Sequence, residues 1–485
     1  MTYRVMIAAL SSLLMAGCVI PPSDAPRETP LAAADVGLNA ASAPAAPKAW
    51  WKSFGDPQFD KLVDDALAHN PTLAEALARM RGAEARVTTA RSQSLPQVSV
   101  NAEEQRQKFS GTYIYPPPFA GNWNWIGSTE ANLTWNLDFW GKQAALVSQA
   151  GDNADAARLD AESARLAIAG ALAQAYIGLD RAYVLADVAT ETEAQRQHIL
   201  DLTRQRTASG IDSKVEIREA EALLAQARVA KTEAESNRDL ATHEVAALAG
   251  LGANAYAGIR RPHLNLEAAL PLPAALPADL LARRPDVLAS RLRIEAALAG
   301  RKAAKAAFYP DINLAAFAGF QAIGLDSLFK SPSEAFGVGP AIHLPIFDAD
   351  NLKSQYIGAT AEVDDAIAGY NGTVLGAVHT VADRVTEISA LASEAADEQQ
   401  SLDAASEAYR LAERRYGAGL STYLSVLSAE TLLLDARQSH ATLAAAQATN
   451  RVQLLLAVGG DFTPAPKTAS AAPRAAPAQV AAANQ

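Results

Sequence analysis

Residues 206–228 read RTASGIDSKVEIREAEALLAQAR, and residues 415–437 read RYGAGLSTYLSVLSAETLLLDAR. Laid on each other without a gap, at a constant offset of 415 − 206 = 209, they share Arg206/Arg415, Gly210/Gly419, Ala220/Ala429, Glu221/Glu430, Leu223/Leu432, Leu224/Leu433, Ala227/Ala436 and Arg228/Arg437. Self-similarity of this kind marks a fold that uses one supersecondary unit more than once. The match extends upstream, because Pro71, Arg79 and Pro96 recur as Pro285, Arg293 and Pro310, and Phe139 recurs as Phe347. Each half therefore reads as helix, variable strand-containing segment, long helix, turn, long helix.

Proline punctuates this plan: none occurs from Phe119 to Arg261 or from Ile346 to Thr463. Those gaps hold the long helices, predicted from Gly141 to about Ala208 and from Asp348 to about Gly417. Each is rich in good helix formers and measures roughly 100 Å at 1.5 Å per residue. Gly210 and Gly419 suit the left-handed residue that closes a helix. Asp212 or Ser213, and Ser421 or Thr422, are placed to cap the returning helices. Helices so long and so alanine-rich have to pack laterally on others to be stable.

At the amino terminus, Arg4 precedes an apolar run from Val5 to Leu14, followed by Leu14-Met15-Ala16-Gly17-Cys18. That order is a secretory signal, too short to span a bilayer. The small residues before Cys18 look like a bacterial lipobox, which implies cleavage after residue 17 and a covalent lipid on Cys18, N-palmitoyl and S-diacylglycerol. Val19 rather than Asp after the cysteine suggests sorting to the outer membrane. Cys18 is the only cysteine, so disulfides within the chain are excluded. Residues 19–47 and 461–485 are Pro/Ala-rich and read as a tether and a disordered tail.

No further apolar run reaches the roughly 20 residues of a spanning helix, so a membrane crossing by the mature chain has to be a β-barrel. After Pro96 and Pro310 the pattern changes to period two. Ala131, Leu133, Trp135, Leu137 and Phe139 alternate with Glu130, Asn132, Thr134, Asn136 and Asp138, a half-buried strand. Ile312 to Phe320 and Phe336 to Leu344 supply two more, and Val98, Val100 and Ala102 a weaker fourth. Strands of about 10 residues suit a tilted barrel strand. A soluble β-domain would alternate in the same way, but lipoprotein targeting and the girdle-like Trp123, Trp125, Trp135 and Trp140 favour the membrane. Four strands do not close a barrel, for which about eight are needed. The chain must therefore assemble with copies of itself into a ring.

A net charge of −11 without a basic block argues against nucleic acid. The seven histidines are scattered without metal-ligand spacing. Phosphate-loop and nucleophile-elbow motifs are absent, and no catalytic constellation can be named. No enzyme activity, metal or cofactor beyond the lipid is expected.

The combination resembles the TolC-like outer-membrane efflux proteins, in particular their lipoprotein (NodT-type) branch. The residues that carry the resemblance are Trp50-Trp51-Lys52-Ser53-Phe54-Gly55-Asp56-Pro57, Trp135-Asn136-Leu137-Asp138-Phe139-Trp140-Gly141, Arg283-Arg284-Pro285-Asp286-Val287, Ala306-Ala307-Phe308-Tyr309-Pro310, Pro345-Ile346-Phe347-Asp348 and the two turn repeats. It covers about residues 48–460. The resemblance implies an α+β membrane protein with an internally duplicated fold. Each protomer of a homotrimer gives four transmembrane strands to a twelve-strand barrel, above a long helical periplasmic tunnel with an equatorial mixed region. It also implies a passive, gated conduit for drugs or other small amphiphiles, fed by a periplasmic membrane-fusion adaptor and an inner-membrane pump of the resistance-nodulation-division type. The alternatives are a type I protein-secretion channel and, from another class, a non-channel periplasmic adaptor or structural lipoprotein. The layout expected is a signal (1–17), lipidated tether (18–47), first repeat (48–250), connector (251–284), second repeat (285–460) and tail (461–485).

By the same resemblance the periplasmic tip, here Arg204 to Ser213 and Arg414 to Thr422, meets the adaptor, which singles out Arg206, Gly210, Arg415, Tyr416 and Gly419. Complementing the helix dipoles would also account for the arginines. Many relatives carry an acidic ring in a YLDVLDA-like stretch, where this chain has Tyr423-Leu424-Ser425-Val426-Leu427-Ser428-Ala429. Leu424, Ser425 and Ser428 are therefore constriction candidates. Their repeat equivalents Glu216 and Glu219 are the acidic candidates, unless these serines simply face a neighbouring helix. Tyr113, Tyr115 and Pro116-Pro117-Pro118 are expected in an extracellular loop.

Overall fold

A computed structural model describes residues 23–38, 46–267, 270, 279–345 and 349–464. Cys18, Phe347 and most of the tail lie outside them. The first half contains α1 (Pro57–His69), α2 (Pro71–Gln93), β1 (Gln97–Lys108), β2 (Trp123–Asn136), α3 (Lys142–Ala208) and α4 (Lys214–Leu248). After a single helical turn at Leu280–Arg283 the second half contains α5 (Pro285–Ala306), β3 (Asp311–Ile323), β4 (Glu334–His343), α6 (Ala349–Gly417) and α7 (Tyr423–Ala457). Helices α3 and α6 hold 67 and 69 residues. No helix among the described residues is long and apolar enough to cross a membrane.

The four strands form one antiparallel sheet in the order β1-β2-β3-β4, with unbroken register. Val98 pairs with Leu133, Leu133 with Ala316 and Ala316 with Val338, so one face is apolar along its whole width. Asn101, Glu130 and Gly319 stand in line on the other face, together with Ser99, Asn132, Asn313 and Gln321. Val98, Val100, Phe336, Val338 and Ile342 are all more than two thirds exposed in the single chain. Such a sheet has one apolar surface left largely uncovered, one polar surface and two open edges.

The predicted strand continues to Phe139, but β2 stops at Asn136. Asp138 adopts a left-handed backbone with φ 41°. Its two carboxylate oxygens accept from Gln143 N and Ala144 N at 2.9 Å each, opening α3. Phe139 and Trp140 are thereby turned out of the sheet, and Trp140 stacks on Tyr309 with centroids 4.9 Å apart.

Below the sheet, α3 packs on α2, α4, α5 and α7, while α6 packs on α5 and α7. The largest core lies at the waist, where Trp50, Trp51, Phe54 and Phe59 meet Leu172, Tyr176 and Leu179 of α3 and Val452 and Leu455 of α7. Asp56 organises this belt. One oxygen caps α1 through Gln58 N and Phe59 N, and the other accepts from Tyr176 OH at 2.9 Å and His263 N at 2.8 Å.

The amino-terminal segment, read as part of the tether, is docked over residues 23–38. Arg27 N and Glu28 N donate to Asp364 Oδ1 at 2.7 and 3.0 Å, and Leu31 N donates to Asn371 Oδ1 at 2.8 Å. Tyr356 OH reaches Asp24 O at 3.4 Å, and Leu38 is buried beside Leu280 and Val381. A Pro/Ala-rich strap gains order here because α6 presents polar side chains that satisfy its backbone donors. Asp461, read as the start of the disordered tail, is also held, by Arg165 Nη2 at 2.7 Å.

Burial alone would raise the Asp56 carboxyl, but the donors from His263, Tyr176, Gln58 and Phe59 together outweigh it and hold it below the ordinary range. A depressed folded-state pKa contributes stability above the unfolded value of about 3.9, and that contribution is lost as pH falls through the folded value. Asp56→Asn is expected to cost about 1–3 kcal/mol near neutral pH, because a carboxamide keeps one acceptor oxygen and leaves either the α1 cap or the Tyr176 and His263 donors facing an NH2 group. It should also flatten the acid limb of a thermal unfolding series in detergent. Parallel acid limbs for wild type and variant would refute the assignment.

Candidate functional site

The two hairpin turns at the far end of the long helices close in the same way. Gly210 and Gly419 both have φ 75°. Ile211 N bonds Arg206 O at 2.9 Å and Gly210 N bonds Thr207 O at 3.0 Å, and Leu420 N and Gly419 N repeat this with Arg415 O and Tyr416 O. This paired closure requires a left-handed residue after the helix, which glycine adopts without strain. The glycine pair is thus a backbone requirement.

The returning helices start differently. Ser213 caps α4 through Val215 N at 3.1 Å, and Glu216 reaches back to Ser213 N at 2.9 Å, a complete capping box. Thr422 occupies the equivalent place before α7 but makes no side-chain cap; its hydroxyl meets Ser425 Oγ at 3.2 Å.

Arg206 and Tyr416 join the two hairpins. Arg206, 7% exposed, donates to both oxygens of Asp212 at 2.7 and 3.0 Å and to the carbonyl of Tyr416. Its guanidinium carbon lies 4.1 Å from the centre of the Tyr416 ring. Tyr416, fully buried, donates its hydroxyl to Asp212 Oδ2 at 2.6 Å and shares a second hydrogen bond with Thr203 Oγ1 at 3.0 Å. The Arg206 hydrogen bonds hold the Asp212 carboxyl below its ordinary value against the effect of burial. Burial and then Asp212 push the Tyr416 phenol up to about 12. A bidentate pair closed by a cation–π contact is a strong unit in a partly dry site.

Arg206 is therefore not on the tip's outer surface. Its twin Arg415 is exposed. At the 209-residue offset the counterpart of Tyr416 is Thr207 and that of Asp212 is Ser421, so Arg415 has neither ring nor carboxylate to meet. Asp212 reads in sequence as a cap, and only its position six residues after Arg206, across a glycine turn, hints at the pairing.

Glu221 and Glu430 diverge in the same manner. Glu430 is 4% exposed and bound to Arg196 at 3.2 Å, while Arg196 also donates to Leu223 O at 2.9 Å, so α3, α4 and α7 meet at one ion pair. Glu221 lies nearer solvent between Arg218 at 2.7 Å and Arg204 at 3.4 Å. Ala405 stands at the counterpart of Arg196, which explains the difference.

Leu424, Ser425 and Ser428 are exposed on α7, on the side away from buried Val426, Ala429 and Leu433. Glu219 is exposed on the corresponding side of α4, and Glu216 is half-buried in its capping box. The turns also expose two apolar pairs, Ile211 with Leu420 and Val215 with Leu424, each side chain 59–69% exposed, of which the sequence pattern singles out only Leu424. Among the described residues no acidic, histidine or cysteine group is arranged to hold a metal.

Glu430→Ala leaves the largely buried Arg196 guanidinium with the Leu223 carbonyl but no counter-charge, and is expected to cost about 3 kcal/mol. Glu221→Ala, at the identical position of the other repeat, should cost about 1 kcal/mol or less. Equal shifts of the two variants in detergent unfolding experiments would contradict this division.

The profile described as outer membrane efflux protein matches residues 62–251 and 276–460. Fusaric acid resistance protein FusA of Burkholderia cepacia is 36% identical over 363 residues, 73% of this chain and 68% of its own length. Multidrug resistance outer membrane protein MdtQ of Escherichia coli O6:H1 is 32% identical over 93% of this chain and 96% of its own. The crystal structure of the outer membrane protein VceC of Vibrio cholerae superposes with a TM-score of 0.81 at 34% identity, covering 86% of this chain and all of that one. The Campylobacter jejuni CmeC outer membrane channel shares the fold with a TM-score of 0.82 at 22% identity, over 92% and 95% of the two chains. With both repeats matched in order over most of its length, the chain belongs to the outer membrane efflux protein family.

Proposed function

We propose that three copies of this chain form the outer-membrane conduit of a tripartite efflux pump, passing drugs or other small amphiphiles from the periplasmic side to the outside. The observation that carries this reading is the sheet with one bare apolar face, one polar face and two open edges, continuous with hairpins of roughly 100 Å. Unpaired strand edges are excluded from hydrocarbon, so the edges of β1 and β4 close against neighbouring copies. A twelve-strand barrel results, with the Asn101 and Glu130 face inside. The helices extend that lumen toward the cell interior.

The adaptor docks on the outer surface of the turns, where Ile211, Leu420 and Arg415 are open. Arg206 serves a different end: with Asp212 and Tyr416 it latches the two hairpins of one protomer in a closed tip. Leu424, Ser425 and Ser428 line the constriction, with Glu219 supplying the remaining charge and Glu216 engaged as a cap. A lipid on Cys18 fits the course of the strap. Asp24 is fixed at Tyr356, close below the sheet, and the six residues back to Cys18 reach roughly 20 Å, enough to place acyl chains in the inner leaflet.

The test is reconstitution of the detergent-extracted protein in planar bilayers. A conducting trimer is expected, and a salt-released, non-conducting monomer would overturn the reading. In the same assay Tyr416→Phe and Asp212→Asn, each removing about 1–2 kcal/mol from the closed tip, should raise open probability by roughly 5–30-fold. Unchanged gating would remove the latch. Separately, Cys18→Ala should abolish incorporation of labelled palmitate while leaving the barrel in the membrane; label persisting in that variant would refute lipidation at Cys18.

A further inference from the structure

The loop joining β3 to β4 does not extend straight off the end of the sheet. Gly324 N donates to Trp125 O at 2.8 Å, and the chain then folds back over β2. Leu328 and Leu325 lie above Gly127, where an added Cβ would stand 2.9 and 3.1 Å from their methyl carbons. Phe329 meets Phe320 edge-on, with centroids 5.7 Å apart. The register assigns a side to this contact: Gly127 and Phe320 belong to the same face as Val100, Leu133 and Val338, the apolar one. The loop therefore lies outside the barrel, against the surface that faces lipid.

It is also a built loop. Leu328 N bonds Leu325 O at 3.3 Å, Lys330 N bonds Ser327 O at 3.0 Å, and Ser333 Oγ bonds Ser327 O at 2.8 Å. This geometry buries Leu328 but leaves Leu325 38% and Phe329 71% exposed. The same level of the face carries Trp123 and Trp125, with Arg106 5.9 Å from the Trp125 ring centre and Lys108 paired with Trp123. Its other charged groups are Glu104 and Glu334, with Asp326 beside Lys330 in the loop at 3.9 Å. Aromatic rings mixed with charge at the end of an apolar band match the boundary between hydrocarbon and headgroups. By contrast, the β1–β2 loop turns an aromatic on itself, with Phe109 buried against Tyr115, and holds Tyr113 and Ile114 out in the open.

We infer that the β3–β4 loop is an interfacial anchor, seating Leu325 and Phe329 in the outer leaflet at the headgroup boundary and so setting the height of the barrel in the membrane. The occupant is lipid because the loop surface is continuous with the barrel's apolar face. The inference rests on the barrel reading, and the experiment separates the two.

Phe329→Cys, Phe336→Cys and Tyr113→Cys are each made in a Cys18→Ala background, where the introduced thiol is the only one. Each is labelled with a nitrobenzoxadiazole fluorophore and reconstituted in phosphatidylethanolamine/phosphatidylglycerol vesicles containing doxyl-labelled lipid. The label at 336 should be quenched by deep doxyl groups, that at 113 by aqueous iodide, and that at 329 by shallow doxyl groups with loss of iodide quenching and a blue shift. If 336 is lipid-quenched while 329 behaves like 113, the anchor is refuted and the barrel stands. If 336 is itself open to iodide, the barrel reading falls and the anchor with it.

Discussion

A strand in hydrocarbon must have its backbone N–H and C=O groups paired, and the four strands here leave two edges without partners. The rest of the molecule depends on that constraint. An apolar face of Val98, Val100, Phe336 and Val338 would be an aggregation hazard in water, and lipid is the medium that suits it. Lipid in turn forbids the open edges. Closing them with copies of the same chain answers both demands, and the hairpins below, joined to the sheet through short turns such as Asp138 to Gly141, follow the ring into a tunnel.

Duplication supplies the parts for this ring, and divergence makes the two copies do different work. Both turns close through the same backbone bonds at glycine, since helix termination places the same demand on both. The side chains around them have separated. Arg206 finds Asp212 and Tyr416, whereas Arg415 finds neither; Glu430 is buried on Arg196, whereas its twin stays near solvent. The consequence is one hairpin held to the other by a latch near the tip and by a buried ion pair higher up, with a single capping box on the α4 side. An asymmetric tip is a reasonable starting point for a gate in which one hairpin moves against the other.

The waist is held by different means. Asp56 joins the start of α1, the middle of α3 and the connector at His263 through one carboxylate, and Trp50, Phe54, Phe59 and Tyr176 fill the space around it. The strap over residues 23–38 follows α6 toward the sheet. Both features tie the upper half of the molecule together across segments far apart in sequence.

Much of this was legible in the chain itself. The 209-residue repeat, the proline-free stretches and the period-two segments determined the duplicated plan, the long hairpins and the two-faced strands, because periodicity and turn chemistry act locally along the backbone. The end of β2 is not visible in the pattern, since Leu137 and Phe139 keep the alternation while Asp138 leaves it to cap α3. Tertiary structure alone decided which member of each identical pair is buried, that the strap and Asp461 are held, and that the β3–β4 loop turns to the outer face. Those outcomes depend on partners far away in sequence: Tyr416 for Arg206, Arg196 for Glu430, Asp364 for Arg27 and Gly127 for Leu328. A residue's own neighbourhood carries its conformational preference, but whether its charge or ring is satisfied depends on what the fold brings opposite it.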